Sequence, residues 1–239
     1  MADRYFVEVP VSTPRAVLSG AEAHHLIHVM RAKPGMAVTL FDGSGAEFSA
    51  LVERLGRSEV ELQIVARQQV DRELPLDLAL GVSLPKGDRQ KWLVEKAVEL
   101  GVRRVVPLLT SRSVAQPAGA VARLRRTVIE ASKQCGRNRL MEICAPSGWA
   151  DFVGAEPEVS LKLLAHPAGE NVLGARDACS DEPVRRAILA IGPEGGFAEE
   201  ELALARSAGW RLVNLGPRIL RVETAAILLV AKVIAKLPP

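Results

Sequence analysis

Short apolar strands alternate with helices over most of the chain, and this alternation restricts the possible folds more than any other feature. Beyond residue 75, strands are predicted at 78–84, 105–109, 161–165, 187–191 and 212–215. Helices are predicted at 88–100, 121–135, 199–208 and 224–236. Strands that alternate with helices build a parallel sheet covered on both faces. The sequence therefore predicts an α/β fold for this part of the chain.

The amino-terminal part follows a different pattern, in which strands dominate. Residues 38–41 and 47–52 flank the turn sequence at 42–45, and the second of these runs alternates polar with apolar side chains, which predicts a hairpin. A third strand is predicted at 59–65, and three such strands suggest a small barrel or sandwich. A helix is predicted at 21–31. Its expected apolar stripe consists of Leu26, Val29 and Met30.

Two domains are expected from the place where the pattern changes. The polar run at 67–73 is the best boundary, so we predict domains at 1–72 and 73–239. The last helix, 224–236, is apolar almost all round, and such a helix is buried in a core or against another subunit. Thr224 is its predicted N-cap. The tryptophans predicted to serve packing are Trp92, Trp149 and Trp210.

Several classes of protein are excluded by what the sequence lacks. The longest apolar run, 225–231, is far shorter than the roughly 20 residues of a membrane helix. The start of the chain does not resemble a secretory signal, so we expect a cytoplasmic location. The three cysteines form no CxxC pair, and His24 and His28 have no neighbouring carboxylate or cysteine pattern. No metal site is expected.

The charges are unevenly distributed, although the formal net charge is only +3. The block from Lys86 to Arg139 contains 13 basic and 4 acidic residues. A basic block favours a polyanionic partner, because neutralised phosphates release their counterions. The alternative is a solvated helix face with no partner.

Two loops at the carboxyl ends of predicted strands are the best candidates for a ligand site. The first, 191–197, matches neither of the usual phosphate-binding glycine patterns. Three glutamates at 199–201 follow it in the first helical turn, where they repel phosphate. A nucleoside without phosphate is therefore favoured, although Gly195 and Gly196 can also serve only a tight turn.

The second loop, 215–224, carries Arg218, Arg221 and Glu223 just before the apolar helix. Charged side chains where sheet loops converge indicate a site. An ion pair between Arg221 and Glu223 is the alternative.

Five segments together resemble one known family, the ribosomal RNA small subunit methyltransferase E family of the SPOUT superfamily. The segments are Lys86–Arg89, Lys96–Val102, Gln134–Arg137, Ile191–Phe197 and Leu215–Ala225. Arg4–Phe6, His25–Arg31 and Asp42–Gly43 also resemble its amino-terminal part, so the likeness covers nearly the whole chain. Members of this family use S-adenosylmethionine to methylate N3 of one uridine in small-subunit (16S) ribosomal RNA.

The resemblance implies a PUA-like β-barrel that binds RNA, followed by a SPOUT methyltransferase domain with a carboxyl-terminal trefoil knot. It also implies a homodimer that acts on small-subunit ribosomal RNA or on the assembled small subunit. His166 is expected to border the cofactor or to be an ordinary loop residue. The residues expected to bind S-adenosylmethionine are Leu164, Gly192, Pro193, Glu194, Gly195, Gly196, Leu215, Gly216, Ile219, Leu220 and Thr224.

Further roles can be assigned if the chain has this activity. Arg221 is predicted to stabilise a uridine anion, and Glu223 to orient Arg221. The predicted RNA-binding residues are Arg4, Arg31, Lys86, Arg89, Arg137 and Arg139.

Two other functions are compatible with parts of the sequence. A non-catalytic RNA-binding protein needs only the barrel and the basic block, and it predicts no affinity for S-adenosylmethionine. A nucleotide-dependent oxidoreductase predicts binding of NAD or flavin, which the acidic turn at 199–201 disfavours. Neither alternative explains both glycine loops.

Overall fold

The computed structural model describes residues 3–12, 14–113, 120–155, 161–171 and 184–237, which form two compact units. The first unit holds residues 1–73 and 129–140, and the second holds 74–128 and 141–239. Residues 129–140, here called the return segment, therefore belong to the first unit, whereas the predicted boundary at 72/73 places them in the second domain.

The first unit is built on a five-stranded sheet. Its strands are β1 (Arg4–Phe6), β2 (Arg15–Ser19), β3 (Ala37–Phe41), β4 (Ala46–Leu55) and β5 (Glu59–Gln69), in the order β1-β3-β4-β5-β2. The β3–β4 pair is antiparallel and confirms the predicted hairpin, and β1 is parallel to β3. Alternate side chains such as Val38, Leu40, Val60 and Leu62 face the apolar core of this unit.

The helix predicted at 21–31 is shorter and changes its pitch. It consists of α1 (Gly20–His24) and a π-helical turn (His25–Val29), in which the Met30 amide donates to the His25 carbonyl at 3.0 Å. A π turn is wider than an α turn and shifts the faces of the helix. Leu26 is buried as expected, but Val29 is 59% and Met30 36% exposed, so the predicted stripe is wrong for these two.

Hydrogen bonds to Glu47 and Asn138 attach the return segment to the first unit. Arg4 donates to Glu47 Oε2 at 2.8 Å and to Asn138 Oδ1 at 2.6 Å, and Arg72 donates to Glu47 at 3.0 Å. Asn138 Nδ2 in turn donates to the carbonyl of Val70 at 3.1 Å. Burial raises the pKa of Glu47, but the hydrogen bonds from Arg4 and Arg72 outweigh it and hold the pKa below its ordinary 4.5.

A second ion pair involves Arg137, which is buried. Its guanidinium contacts both carboxylate oxygens of Glu73, at 3.0 and 2.5 Å. Such bidentate pairs are the strong ones among charged hydrogen bonds. Arg4 and Arg137 are thus engaged in internal contacts, which corrects the expectation that they face RNA.

The second unit contains a larger sheet in which every strand pair is parallel. Its strands are β6 (Asp77–Val82), β7 (Arg104–Leu109), β8 (Glu142–Ile143), β9 (Ser147–Gly148), β10 (Leu161–Asn171), β11 (Arg186–Ile191) and β12 (Arg211–Asn214). Six of them follow the order β12-β10-β11-β6-β7-β8, and β9 pairs with the end of β7. Its helices are α2 (Asp88–Glu99), α4 (Trp149–Gly154), α5 (Glu199–Ser207) and α6 (Val222–Ile234). Helix α3 (Ala120–Cys135) is divided between the units. The predicted α/β fold with a parallel sheet is confirmed.

Aromatic side chains fill one part of the core of the second unit. Trp149, Phe152, Phe197 and Trp210 contact one another with ring centroids 4.5 to 6.1 Å apart. Trp149 and Trp210 are therefore packing residues, as predicted. Trp92 is 42% exposed on α2, so the same prediction is wrong for it.

Helix α6 begins two residues earlier than the sequence predicts. Its N-cap residue is Arg221 in extended conformation, so the prediction that Thr224 is the N-cap is wrong. One face, which includes Ala226, Leu229 and Val233, is buried. The opposite face, with Leu228 and Ala231, is only half-buried.

Two expectations concern the chain as a whole. No helix within the described residues is long and apolar enough to cross a membrane. The trefoil knot that the resemblance implies stays a prediction.

Candidate functional site

The two glycine loops meet at one edge of the larger sheet. Strands β11 and β12 flank β10, and because all three are parallel their carboxyl ends lie side by side. The loops after β11 and β12 border a cavity of about 610 Å³. The middle of β10 adds Ala165, His166 and Pro167 to its lining, next to the point where the pairing of β10 with β12 shifts register. This volume lies within the range of small-molecule sites.

The first loop has a glycine where a side chain cannot fit. A Cβ on Gly192 would lie 2.8 Å from the buried ring of Phe197. Gly196 has φ +69°, and its amide closes a turn onto the Pro193 carbonyl at 2.8 Å. Arg112, which also lines the cavity, donates to the Gly195 carbonyl at 2.7 Å and so fixes the loop. Arg112 lies 83 residues away from Gly195 along the chain, so no local sequence pattern indicates this contact.

The helix that follows this loop has its N-terminus occupied by a carboxylate. Glu201 accepts hydrogen bonds from the amides of Ala198 and Ser111, both at 2.8 Å. Glu199 lines the cavity, as does Glu194. This arrangement disfavours a phosphate at the helix N-terminus and favours a neutral or cationic ligand.

Asn214 joins the second loop to the middle of β10. Its Oδ1 accepts from the Gly216 amide at 2.7 Å, and its Nδ2 donates to the Pro167 carbonyl at 2.5 Å. Gly216 has φ +120°, a conformation that side chains rarely adopt. The amide of Asn214 therefore joins two walls of the cavity, a role that no sequence pattern indicated.

Most residues predicted to bind the cofactor line this cavity, and His166 lines it as well. The nine lining residues are Gly192, Pro193, Glu194, Gly195, Gly196, Leu215, Gly216, Ile219 and Leu220. Two predicted residues lie elsewhere: Leu164 is fully buried in the core, and Thr224 is exposed on α6. Arg218 also lines the cavity, whereas Arg221 does not.

Glu223 faces a different arginine from the one predicted. Its side chain is 9% exposed, and its Oε2 lies 3.6 Å from Nη1 of Arg89. The same Nη1 lies 3.4 Å from Oε1 of Glu194. Arg221 is exposed, and within the described ranges it makes no ion pair. The expectation that Glu223 orients Arg221 is therefore corrected: Glu223 faces Arg89.

The remaining predicted RNA-binding residues are accessible. Arg31, Lys86 and Arg139 are exposed, and Arg89 is half-buried. Arg31 is the one non-glycine residue with a positive φ, 51°, in the part of the chain that the structure describes. The rings of His24 and His28 contact each other, with centroids 4.6 Å apart and planes tilted by 48°. No group of three or more metal-ligating side chains occurs among the described residues.

Family models match both parts of the chain. Residues 72–234 match the RNA methyltransferase domain, and residues 18–65 match the RNA methyltransferase PUA domain.

Curated proteins similar to this chain share one name, ribosomal RNA small subunit methyltransferase E. The protein from Synechocystis is 34% identical over 92% of this chain and 73% of its own length. The protein from Bacillus subtilis is 28% identical over 94% and 93%.

Solved structures with a similar fold contain the expected cofactor. The ribosomal RNA small subunit methyltransferase E of Neisseria gonorrhoeae, bound to S-adenosylmethionine, has a TM-score of 0.88 and 29% identity, covering 99% of this chain and 98% of its own. A methyltransferase of Legionella pneumophila in complex with S-adenosylmethionine also has a TM-score of 0.88, with 34% identity over 98% and 97%.

Proposed function

Because this chain belongs to the ribosomal RNA small subunit methyltransferase E family, we propose that it methylates N3 of a uridine in small-subunit ribosomal RNA. Its activity as an S-adenosylmethionine-dependent ribosomal RNA methyltransferase follows from that membership. The choice of uridine N3 rests on the motif resemblance. The observation that carries the proposal is the cavity between the two glycine loops, which lies where open parallel sheets bind their ligands.

The cavity fits S-adenosylmethionine in size and in charge. Its lining includes residues 191–197 and 214–220, whose backbone amides and carbonyls can hydrogen-bond an adenine. Glu194 and Glu199, which line the cavity together with Arg112 and Arg218, suit the positive sulfonium, and the carboxylate at the N-terminus of α5 disfavours a phosphate there. When bound, the cofactor supplies an activated methyl group.

The main task of the protein is then alignment. Holding two reactants at near-attack distance contributes roughly 7 to 11 kcal/mol to lowering a barrier. The N3 proton of uridine is only weakly acidic, and its removal or the stabilisation of the resulting anion adds about 10² to 10⁴ in rate. Arg221, at the start of α6 between the lining residues Leu220 and Val222, stays our proposal for stabilising that anion.

RNA binding is proposed to use exposed cations outside the cavity. Arg31, Lys86 and Arg139 are accessible, and few aromatic side chains are available to stack on bases. The substrate is either the naked RNA or the assembled small subunit. A ribosomal substrate agrees with the cytoplasmic location expected from the sequence.

We further propose that the enzyme is a homodimer that uses α6. The half-buried face of this helix carries Leu228 and Ala231, and Ile219 in the neighbouring loop is fully exposed. A second copy of the chain would cover this apolar surface.

One experiment tests the activity and its target. The protein is incubated with labelled S-adenosylmethionine and small ribosomal subunits that lack the modification, and the methylated base is then mapped. We expect label at N3 of a single uridine. Label on another base would contradict the uridine assignment. Failure to bind the cofactor in calorimetry would favour a non-catalytic RNA-binding protein.

A further inference from the structure

A second, smaller cavity adjoins the cofactor cavity in the second unit. Its volume is about 240 Å³, and it shares Pro193 and Glu194 with the larger one. Leu84, Pro85 and Leu108 give it apolar walls, while Ser83, Ser113, Lys86 and Arg89 supply hydrogen-bond donors. A flat polar ring needs this combination of apolar faces and hydrogen-bonding edges.

The serine hydroxyls form a fixed cluster at this cavity. Ser83, which is buried, has its Oγ 3.2 Å from Oγ of Ser113. Ser113 Oγ accepts from the Thr110 amide at 3.0 Å and lies 2.8 Å from Thr110 Oγ1. Each hydroxyl can donate one hydrogen bond and accept two. The cluster therefore presents a positioned hydroxyl from Ser83, held by a neighbour that is itself anchored to the backbone.

Arg89 is held between two carboxylates but keeps donors available. Both contacts, to Glu194 and to Glu223, use Nη1, at 3.4 and 3.6 Å. Within the described ranges, neither Nε nor Nη2 of Arg89 donates to another protein group. Glu223 Oε2 is buried and has no hydrogen-bond partner in the described part of the chain, so its charge faces Arg89 alone. The two carboxylates orient the guanidinium towards the cavity that Arg89 lines.

We propose that this cavity receives the pyrimidine ring of the nucleotide that is methylated, with Ser83 and Arg89 donating hydrogen bonds to its carbonyl oxygens. The inference rests on the proposed function, because it names the place of the target base beside the cofactor. The larger cavity already has room for the whole cofactor, which leaves the smaller one for the second reactant. The shared residues Pro193 and Glu194 put the two reactants next to each other.

Three variants test this assignment: Ser83→Ala, Arg89→Met and Arg89→Lys. Methyl transfer to small ribosomal subunits lacking the modification is measured together with the affinity for S-adenosylmethionine and the melting temperature. We expect kcat to fall roughly 5- to 10-fold for Ser83→Ala and about 100-fold for Arg89→Met, from the loss of a neutral and a charged hydrogen bond. Arg89→Lys retains the charge without the planar donors and should fall between wild type and Arg89→Met.

Two further readouts separate substrate contact from a structural role. The Kd for S-adenosylmethionine and the KM for subunits should stay within about twofold of wild type, because phosphate contacts elsewhere supply most of the RNA affinity. The matched controls are Ser207→Ala and Arg206→Met, which alter exposed residues on α5 and should leave all parameters unchanged.

Three outcomes overturn the assignment. Wild-type kcat in both Ser83→Ala and Arg89→Met shows that the target base does not use this cavity. A tenfold loss of cofactor affinity in either variant assigns the cavity to the cofactor itself. If Ser83→Ala and Arg89→Met lower the melting temperature but show wild-type kcat at low temperature, Ser83 and Arg89 have only a structural role. Inactive wild-type protein contradicts the proposed function instead, so the two failures can be distinguished.

Discussion

Glu47 joins distant parts of the chain within the first unit. Its carboxylate accepts hydrogen bonds from Arg4 and Arg72, and the amide of Asn138 lies 3.4 Å away. These groups come from β1, from the segment after β5 and from the return segment. A single carboxylate thus joins three segments, and its ionisation is coupled to folding.

The first unit should accordingly lose stability in acid. The pKa of Glu47 is lower in the folded chain than its ordinary 4.5, so the ionised form contributes stability above about pH 4.5 and loses it as the pH falls through the folded value. Glu47→Gln should cost about 2 kcal/mol at neutral pH and flatten the acid dependence. Urea unfolding followed across this pH range measures both effects. Glu53→Gln, at an exposed ion pair with Arg15, is the control, and an equally steep acid loss in Glu47→Gln would refute the role.

Gly81 lies where the core of the second unit leaves no room for a side chain. A Cβ there would come within 2.2 Å of the Phe152 ring. Gly81→Ala should therefore destabilise the protein by about 1 to 3 kcal/mol. Combining it with Phe152→Leu should recover part of that loss, which a double-mutant cycle measures. Gly154→Ala, where a Cβ meets open space, is the control, and strictly additive losses would contradict the contact.

For individual residues, the sequence predicts which ones lie at the site better than it predicts which side chains contact each other. The loop glycines were identifiable because strand, glycine and helix follow one another within a few positions. The pairing of Arg89 with Glu223 was not, since 134 positions separate them and Arg221 is the nearer arginine. Arg4 and Arg137 were mistaken for surface cations because a sequence does not reveal which carboxylate a buried arginine meets.

Among the elements, β12 and its following loop form one wall of the cofactor cavity. Asn214 at its end holds both the Gly216 amide and the Pro167 carbonyl. Asn214→Ala should release the two loops and weaken S-adenosylmethionine binding about tenfold, since two hydrogen bonds are lost. Calorimetry measures the affinity, with Ser207→Ala as the control. Unchanged affinity would show that the loops keep their arrangement without this amide.

The periodicity of the sequence predicted the ends of the strands more reliably than it predicted which face of a helix is buried. The period-two alternation in β4 and β5 and the apolar runs of β6 and β11 predicted these strands to within a few residues. The π turn after α1 was not predicted because α and π turns contain the same types of residue. They differ in which residues lie next to each other on the helix surface, and the sequence pattern does not show this difference. The burial of Trp92 was mispredicted for a related reason. When the apolar stripe of a helix is broad, the sequence does not show which residues at its edge are buried.

For the whole molecule, assembly and RNA binding are the properties to test. In light scattering, a homodimer should give about twice the chain mass of 25.7 kDa. Leu228→Asp places a charge on the half-buried face of α6 and should yield monomers. Leu204→Asp, at an exposed position on α5, should stay dimeric. A dimeric Leu228→Asp protein would exclude this face as the interface.

RNA affinity should depend on salt through the exposed cations. Arg31→Ala should weaken binding and reduce the slope of log K against log salt by about 0.7 to 0.9, the amount for one phosphate contact. Binding titrations at several salt concentrations measure the slope. Arg57→Ala, at an exposed turn in the same unit, serves as the control. An unchanged slope in Arg31→Ala would remove Arg31 from the RNA-binding residues.

The hydrogen bonds that Arg112 and Asn214 make to the cavity walls have a consequence for turnover. They order both walls of the cofactor cavity through protein contacts alone, so little conformational freedom remains to be lost when a small molecule enters. The demethylated product keeps the adenosine and the amino acid portion, so it binds the same preorganised cavity. We therefore expect strong product inhibition. Release of the demethylated product, and not methyl transfer, should limit the rate of turnover.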